Sequence, residues 1–456
     1  MSRVYLNKNL QERLDIVIPG GSHTYSKGRD VFPSNAPAVL TSGKGCYVKD
    51  LNGNKFLDFG MGLKSVILGY SDRTVNRAVR NSLTLGNNLS RPSMVELLAA
   101  EELVEIIPCA DMVKFAKNGS NVTTAALKIA RAATGRKFIA VPEEQPFFSF
   151  DDWFIGSTSV NKGIPKNHSS LTLKFSYGDI NSLSKLFVKN KGEIAAVMME
   201  PAVDLIPCKV DHKNCTSECV AAQMKNTQKY LKEVKSLCKK MGAILIFDEM
   251  RTGFRWHFNG AQKLFDCYPD LATFGKSMAN GYSVSALVGK KQLMELGSTN
   301  KKNSERTFLL STTHGAEISS LEAFRATAKK LNKENVSQYL WEYGTNLKNE
   351  IVKIFETSEL AQFIEIIGPP VSLEIRFKSS EYWSVQQLKT KFYEELVDSK
   401  ILMPTITPSF SHGNKEIQLI TGALDRVLSK ICQNRNRKSY FANQDHLLSP
   451  VFRKIN

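Results

Sequence analysis

No stretch of this 456-residue chain approaches the roughly 20 consecutive apolar residues that a bilayer-spanning helix needs. Charged residues at Arg3, Lys8, Glu12, Arg13 and Asp15 interrupt any apolar signal region at the start, so no secretory signal and a cytoplasmic location are expected. Cysteine is sparse: eight in a chain this long argue for free thiols and exclude a disulfide-stapled scaffold. Four metal-competent residues do fall close together, Cys208, His212, Cys215 and Cys219, but their spacing is not a common zinc pattern. They read as incidental loop residues, and no metal is expected. Repeats and low-complexity segments are absent. Acidic residues are the scarcer charge, 44 against 61 basic ones, giving a formal net charge of +17. The excess is scattered, with local density at Lys301-Lys302, Lys329-Lys330 and Arg435-Asn436-Arg437-Lys438. It reads as solvated faces and a basic tail rather than a nucleic-acid surface, and its field would favour anionic ligands.

What is present is ordinary globular material, 42% hydrophobic and 23% charged, enough for a large core. Near the N-terminus, Gly45–Asp50 and Lys55–Phe59 flank Leu51-Asn52-Gly53-Asn54, an Asn-Gly hairpin signal. From about 72 to 300, apolar runs at 112–117, 137–141, 194–199, 243–247, 271–274 and 284–288 predict strands alternating with helices. One helix is predicted over 94–107, with Ser93 and Glu96 as a capping box, and another over about 121–134. Such alternation implies an α/β domain with a largely parallel sheet and a ligand site at the strands' carboxyl ends. Beyond 318 the pattern is mainly helical, at 318–331, 334–356, 384–399 and 415–432, with strand candidates at 362–367 and 372–376. The predicted division is an N-terminal segment 1–71 packing with a small domain, a large domain 72–317, a small C-terminal domain 318–432, and a basic tail 433–456.

Lys276 stands out by its company. It follows the run Pro269-Asp270-Leu271-Ala272-Thr273-Phe274-Gly275, and upstream the strand Ala243–Phe247 ends directly in Asp248-Glu249. Gly275-Lys276-Ser277 also resembles the end of a phosphate-binding P-loop. That motif needs glycine five residues before its Gly-Lys, where this chain has Asp270, and the acidic strand precedes the lysine instead of following it. A lysine on a loop and a carboxylate at a strand end suit Schiff-base chemistry with pyridoxal 5'-phosphate (PLP). The amine holds the cofactor's aldehyde, and the carboxylate keeps the pyridine nitrogen protonated. Two more features fall at strand ends: Asn118-Gly119-Ser120 before a helix, a natural phosphate seat, and Glu200-Pro201 after Ile194–Met199.

In that order, these motifs resemble the class-III PLP-dependent aminotransferases of fold type I, in the glutamate-1-semialdehyde 2,1-aminomutase-like branch. The resemblance covers roughly residues 10 to 430, through Pro19-Gly20-Gly21, Lys117–Ser120, Glu200-Pro201, Phe247–Arg255, Pro269–Lys276 and Ser311-Thr312-Thr313-His314-Gly315. It implies an α/β fold: a large domain with a mainly parallel sheet plus a smaller α+β C-terminal domain. It further implies a homodimer with shared active sites. By resemblance, Lys276 is the cofactor lysine and proton-moving base, Asp248 the partner of the pyridinium, and Met250 a contact on the ring face. Gly119 and Ser120 hold the phosphate. Thr313, or Thr312 one residue earlier, reaches the phosphate of the neighbouring subunit.

The chain departs from the family where a Tyr-His-Gly element is usual, reading Pro146-Phe147-Phe148-Ser149-Phe150. Phe147 keeps a ring to stack on the cofactor, without a hydroxyl. Gly21–Gly28 and Asp152–Thr158 look more like aminotransferases of surface-polysaccharide and modified-sugar pathways. The expected activity is amino-group transfer between a small-molecule amino donor and a keto or aldehyde acceptor. The alternatives are intramolecular transfer of the aminomutase kind and a weakly active PLP-binding scaffold. No nucleic-acid or membrane partner is expected.

Overall fold

The structure, a computed structural model, describes residues 9–202, 205–206, 217–300, 305–442 and 446–454. The chain divides into two compact units, one made of residues 1–72 with 339–456 and the other of 73–338.

The second unit is built on a seven-stranded sheet. Its strands are β1 (Met112–Ala116), β2 (Phe138–Pro142), β3 (Thr172–Phe175), β4 (Ile194–Met199), β5 (Ile244–Asp248), β6 (Leu271–Phe274) and β7 (Ser285–Gly289). They lie in the order β1-β7-β6-β5-β4-β2-β3. β2 to β6 pair parallel, while β7 runs antiparallel between β6 and β1. Every residue of β4 and β6 is buried, the near-continuous apolar reading expected of strands covered on both faces. Six of these strands lie within a residue of their expected bounds. β3 was not anticipated, because Thr-Leu-Lys-Phe is short and carries Lys174 in its middle.

The helix Gly119–Thr134 packs across β1, β4, β6 and β7, and its buried face of Val122, Ala126, Leu127 and Ile129 forms a core with Ala196, Ile246 and Leu287. It ends at Gly135, left-handed at φ 66°, a conformation glycine adopts without a Cβ penalty. The helix Met94–Ile106 starts at Ser93, whose hydroxyl accepts from Glu96 N at 3.1 Å. The helix Ile318–Lys333 packs on it and on the helix Arg73–Ser82, inside this unit.

In the first unit, Tyr47–Asp50 and Lys55–Asp58 form the expected hairpin, extended by Leu40–Lys44 on one side and by Ile401–Leu402 in parallel on the other. Asp50 fixes its turn by accepting from Asn54 N at 2.8 Å and Asn54 Nδ2 at 2.7 Å. A two-stranded pair, Ile364–Ile367 with Glu374–Phe377, lines a core filled by the helices Val336–Thr357, Val385–Asp398 and Asn414–Asn434. The segment after 433 is more ordered than its polar composition suggests. It carries a short helix, Lys438–Ala442, and sends Phe441 and Leu448 into that core.

Candidate active site

Three neighbouring parallel strands of the second unit end side by side, and each delivers a charged residue. β4 ends at Met199, paired with Phe247 of β5, so Glu200 and Asp248 leave adjacent strands at matching positions. Asp248 itself pairs with Thr273 of β6, and Lys276 follows β6 after Gly275.

Asp248 is 2% exposed, and its Oδ1 accepts from Met250 N at 3.0 Å and from Thr273 Oγ1 at 3.1 Å. Burial and the nearby Glu200 push its carboxyl up to about 7, against the smaller pull of these hydrogen bonds and of Lys276. The Lys276 amine moves the other way. Desolvation and the Arg251 guanidinium lower its pKa, with Glu200 and Asp248 opposing. The result is an amine biased toward its neutral, nucleophilic form. The Lys276 backbone sits at φ 43°, in the left-handed region that a lysine occupies only at a cost.

The phosphate turn lies at the start of the helix Gly119–Thr134, two residues earlier than the expected onset near 121. Asn118 caps it by accepting from Asn121 N at 3.1 Å, which leaves Gly119 and Ser120 in the first turn, at the positive end of the helix. The Ser120 hydroxyl accepts from Phe150 N at 3.0 Å, so its own proton remains available to donate. Ser283 and Ser285 hold the turn from below, donating to Lys117 O at 2.8 Å and Asn118 O at 2.7 Å.

Met250 connects these groups. A Cβ added at Gly119 would meet its Sδ at 3.0 Å, and one at Gly275 would meet it at 2.7 Å. Glycine at 119 and 275 therefore lets the thioether lie between the phosphate turn and the lysine loop. The 147–150 segment reaches the same helix start, since Phe148 O accepts from Thr123 Oγ1 at 3.0 Å. Phe148 is a core residue, while the Phe147 ring is 45% exposed. Thr313 lies exposed in the segment before Ile318, and that segment is tied to the phosphate turn by Lys117–Glu317 at 3.0 Å.

Several residues around the site were not legible as functional. Glu249, fully buried, accepts from Ala261 N at 2.6 Å, Gln262 N at 3.1 Å, Gln262 Nε2 at 3.2 Å and Thr252 Oγ1 at 3.0 Å. It shapes the loop that carries Met250 and Arg251. Arg251 grips Glu200 with both arms, Nε to Oε2 at 2.5 Å and Nη2 to Oε1 at 2.7 Å. A buried threonine inside an apolar strand, Thr273, was the one available signal, because such a hydroxyl must find a partner. Of the four metal-competent residues noted in the sequence, Cys208, His212 and Cys215 lie outside the described residues. Cys219 is buried on the helix Ser217–Met241.

A helix start with a free hydroxyl proton, a buried carboxylate and a desolvated lysine match, in kind, the phosphate, ring nitrogen and aldehyde of PLP. The family described as aminotransferase class-III matches residues 30–397. The chain belongs to the class-III aminotransferases. It is 31% identical to a 3-aminobutyryl-CoA aminotransferase of Cloacimonas acidaminovorans, over 93% of this chain and 96% of that protein. It is 30% identical to a glutamate-1-semialdehyde 2,1-aminomutase of Methanococcus maripaludis, over 72% and 79%. Among solved structures, the FumI protein of Sphingopyxis sp. MTA144 superposes with TM-score 0.80 at 23% identity, covering 96% of this chain and 97% of that one. An omega-transaminase from Sphaerobacter thermophilus gives 0.77 at 21%, covering 94% and 99%. The fold is that of fold type I PLP-dependent transferases, and this class-III aminotransferase is an enzyme whose cofactor is pyridoxal 5'-phosphate. Among the described residues, no helix is long and apolar enough to cross a membrane.

Proposed function

We propose that the chain transfers an amino group from a small-molecule donor to a separate keto or aldehyde acceptor, with Lys276 and Asp248 as its catalytic residues. The observation that carries this reading is the convergence of Lys276, Asp248 and the Gly119-Ser120 turn around Met250. Bound PLP supplies an electron sink for charge developing on the substrate carbon beside nitrogen. The Lys276 amine would hold the cofactor at its aldehyde carbon and would move the proton at the substrate carbon beside nitrogen. Asp248 holds the ring nitrogen through a charged hydrogen bond. Ser120 and the first-turn amides hold the phosphate, and Phe147 offers an exposed ring to stack on the cofactor.

A relative that is 31% identical over 93% of the chain bears an aminotransferase name, which supports intermolecular transfer. The aminomutase relatives support the second reading, in which the amino group stays on one substrate. A sugar-derived carbonyl remains an acceptor to test, on the resemblance of Gly21–Gly28 and Asp152–Thr158. Within the latter, Trp153 and Phe154 serve the core. We read the protein as a homodimer in which Thr313 reaches the neighbouring subunit's phosphate. Exposed apolar side chains at Leu83, Leu85, Leu89, Met94 and Leu97 support such a contact.

The test is the visible spectrum of the purified protein, titrated with a panel of amino donors. Conversion of the lysine-bound cofactor band to the amino form by one donor, reversed by a keto acceptor, supports transfer. Turnover of glutamate 1-semialdehyde without any acceptor supports the aminomutase. A cofactor still covalently held in Lys276→Ala would remove the assignment.

A further inference from the structure

Three hydroxyls in the first two turns of the helix Gly119–Thr134 hold one stretch of chain, residues 148–153, by interleaved hydrogen bonds. Ser120 Oγ accepts from Phe150 N at 3.0 Å. Thr123 Oγ1 donates to Phe148 O at 3.0 Å. Thr124 Oγ1 donates to Asp151 Oδ2 and accepts from Trp153 Nε1 at 2.8 Å. Ser149, fully buried, closes the turn, its Oγ accepting from Asp151 N at 3.1 Å. Bonds on both sides of Phe150 therefore fix where its N–H points. The consequence falls on Ser120, which is buried and whose side chain has three staggered rotamers. A hydroxyl both accepts and donates, so a donor held against its lone pair selects one rotamer and turns the proton elsewhere.

We infer that Thr124 and Asp151 are positioning residues for the phosphate seat: acting through Phe150 N, they hold the Ser120 hydroxyl in the rotamer that leaves its proton for a phosphate oxygen. The inference rests on the proposed phosphate role of Ser120. The held stretch includes most of the segment that departs from the family's Tyr-His-Gly element, so its grip on the helix comes from hydroxyls and a carboxylate of this chain's own. Without the Thr124 hydroxyl, Asp151 loses this donor and Trp153 this acceptor, and Phe150 N is steadied from the Phe148 side alone. Ser120 can then turn. The phosphate loses an aimed, charge-assisted hydrogen bond, while the cofactor's ring and aldehyde lose nothing. Neither Thr124 nor Asp151 is assigned contact with the cofactor; both act through Phe150.

The experiment compares equilibrium binding of PLP with that of pyridoxal, which has the same ring and aldehyde without the phosphate, to the cofactor-stripped full chain. Amide exchange over residues 148–152 is measured alongside. The proteins are wild type, Thr124→Val, Asp151→Ala, Thr124→Ser, Ser120→Ala, and Ser120→Ala combined with Thr124→Val. Thr124→Val and Asp151→Ala should each weaken PLP binding about tenfold, leave pyridoxal within about twofold of wild type, and speed the exchange. Thr124→Ser keeps the hydroxyl and should bind both ligands as wild type does. In the Ser120→Ala background, Thr124→Val should cost PLP nothing further. Asp151 is only half-buried, so Asp151→Ala carries the test if Thr124→Val fails to fold. Equal weakening of both ligands, unchanged PLP binding, or the full loss on top of Ser120→Ala overturns the positioning role. Ser120→Ala separates the two readings. If it weakens PLP no more than pyridoxal, the proposed seat falls and the positioning role with it. If it weakens PLP selectively and Thr124→Val and Asp151→Ala do not, only the positioning role falls.

Discussion

The side-chain amide of Gln145 completes the backbone hydrogen bonds of Glu200: its Oε1 accepts from Glu200 N at 2.8 Å and its Nε2 donates to Glu200 O at 2.9 Å. This clasp fixes the first residue beyond β4 as though the strand had a further neighbour. Gln145→Leu leaves a buried N–H and a buried C=O unpaired, at roughly 1–3 kcal/mol each. A fall in melting temperature together with weaker cofactor binding is expected. Lost stability with unchanged cofactor affinity would mean the clasp serves the fold alone.

Lys276→Ala should abolish covalent retention of the cofactor, read by borohydride reduction and intact-protein mass, and lower turnover by about a thousandfold or more. The variant also relieves little of the backbone cost at φ 43°, since alanine carries the same Cβ. Replacing Lys276 with glycine should therefore give the more stable of the two inactive proteins.

Asp248 has a pH signature of its own. Its carboxyl is raised from the ordinary 3.8 to about 7 by burial and by Glu200. A group raised in the folded state favours folding fully below its unfolded value and loses that contribution as pH climbs through the folded one. The cofactor-free protein should thus shed stability through this residue between about pH 4 and pH 7. Asp248→Asn removes the titration. Above pH 7 the cofactor-free variant should be more stable than wild type by about 2 kcal/mol, while turnover falls about a hundredfold. Denaturant melts at pH 5 and pH 8 check the crossing. A variant destabilised equally at both would contradict the assigned shift.

Ser285→Ala and Ser283→Ala each remove one hydrogen bond from a carbonyl of the phosphate turn. About 1 kcal/mol per bond is expected, with cofactor affinity reduced a few-fold more in the double variant. Equilibrium binding of PLP measures it, and inorganic phosphate as a competitor reports the seat separately.

Strand positions and strand ends around the site were legible because buried parallel strands are short apolar runs that stop at polar residues. Ile194–Met199 and Leu271–Phe274 fell on their observed bounds for that reason. Lys276, Asp248 and Gly119-Ser120 were legible as ordered motifs. The parts that stayed hidden depend on residues far apart in the chain. Gln145 meets Glu200 across 55 positions and Ser285 meets Asn118 across 167, and no local periodicity records either contact. Ser217–Met241 was missed because its start lies beside a polar cysteine-bearing stretch and its face is rich in lysine. Glu249 belonged to a recognised motif, yet only in the folded chain does its carboxylate gather the loop behind Met250.

The antiparallel strand β7 has a consequence for how the site tolerates motion. It returns directly from the Lys276 loop, pairs with β6 on one side and β1 on the other, and brings Ser283 and Ser285 under the phosphate turn. One short length of chain therefore sets the span between the lysine loop and the phosphate turn. It works as a gauge bar whose two ends are cut from the same piece. Breathing elsewhere in the protein leaves that span alone, whereas a single residue inserted between Asn280 and Ser285 would mis-set it with every strand still in place.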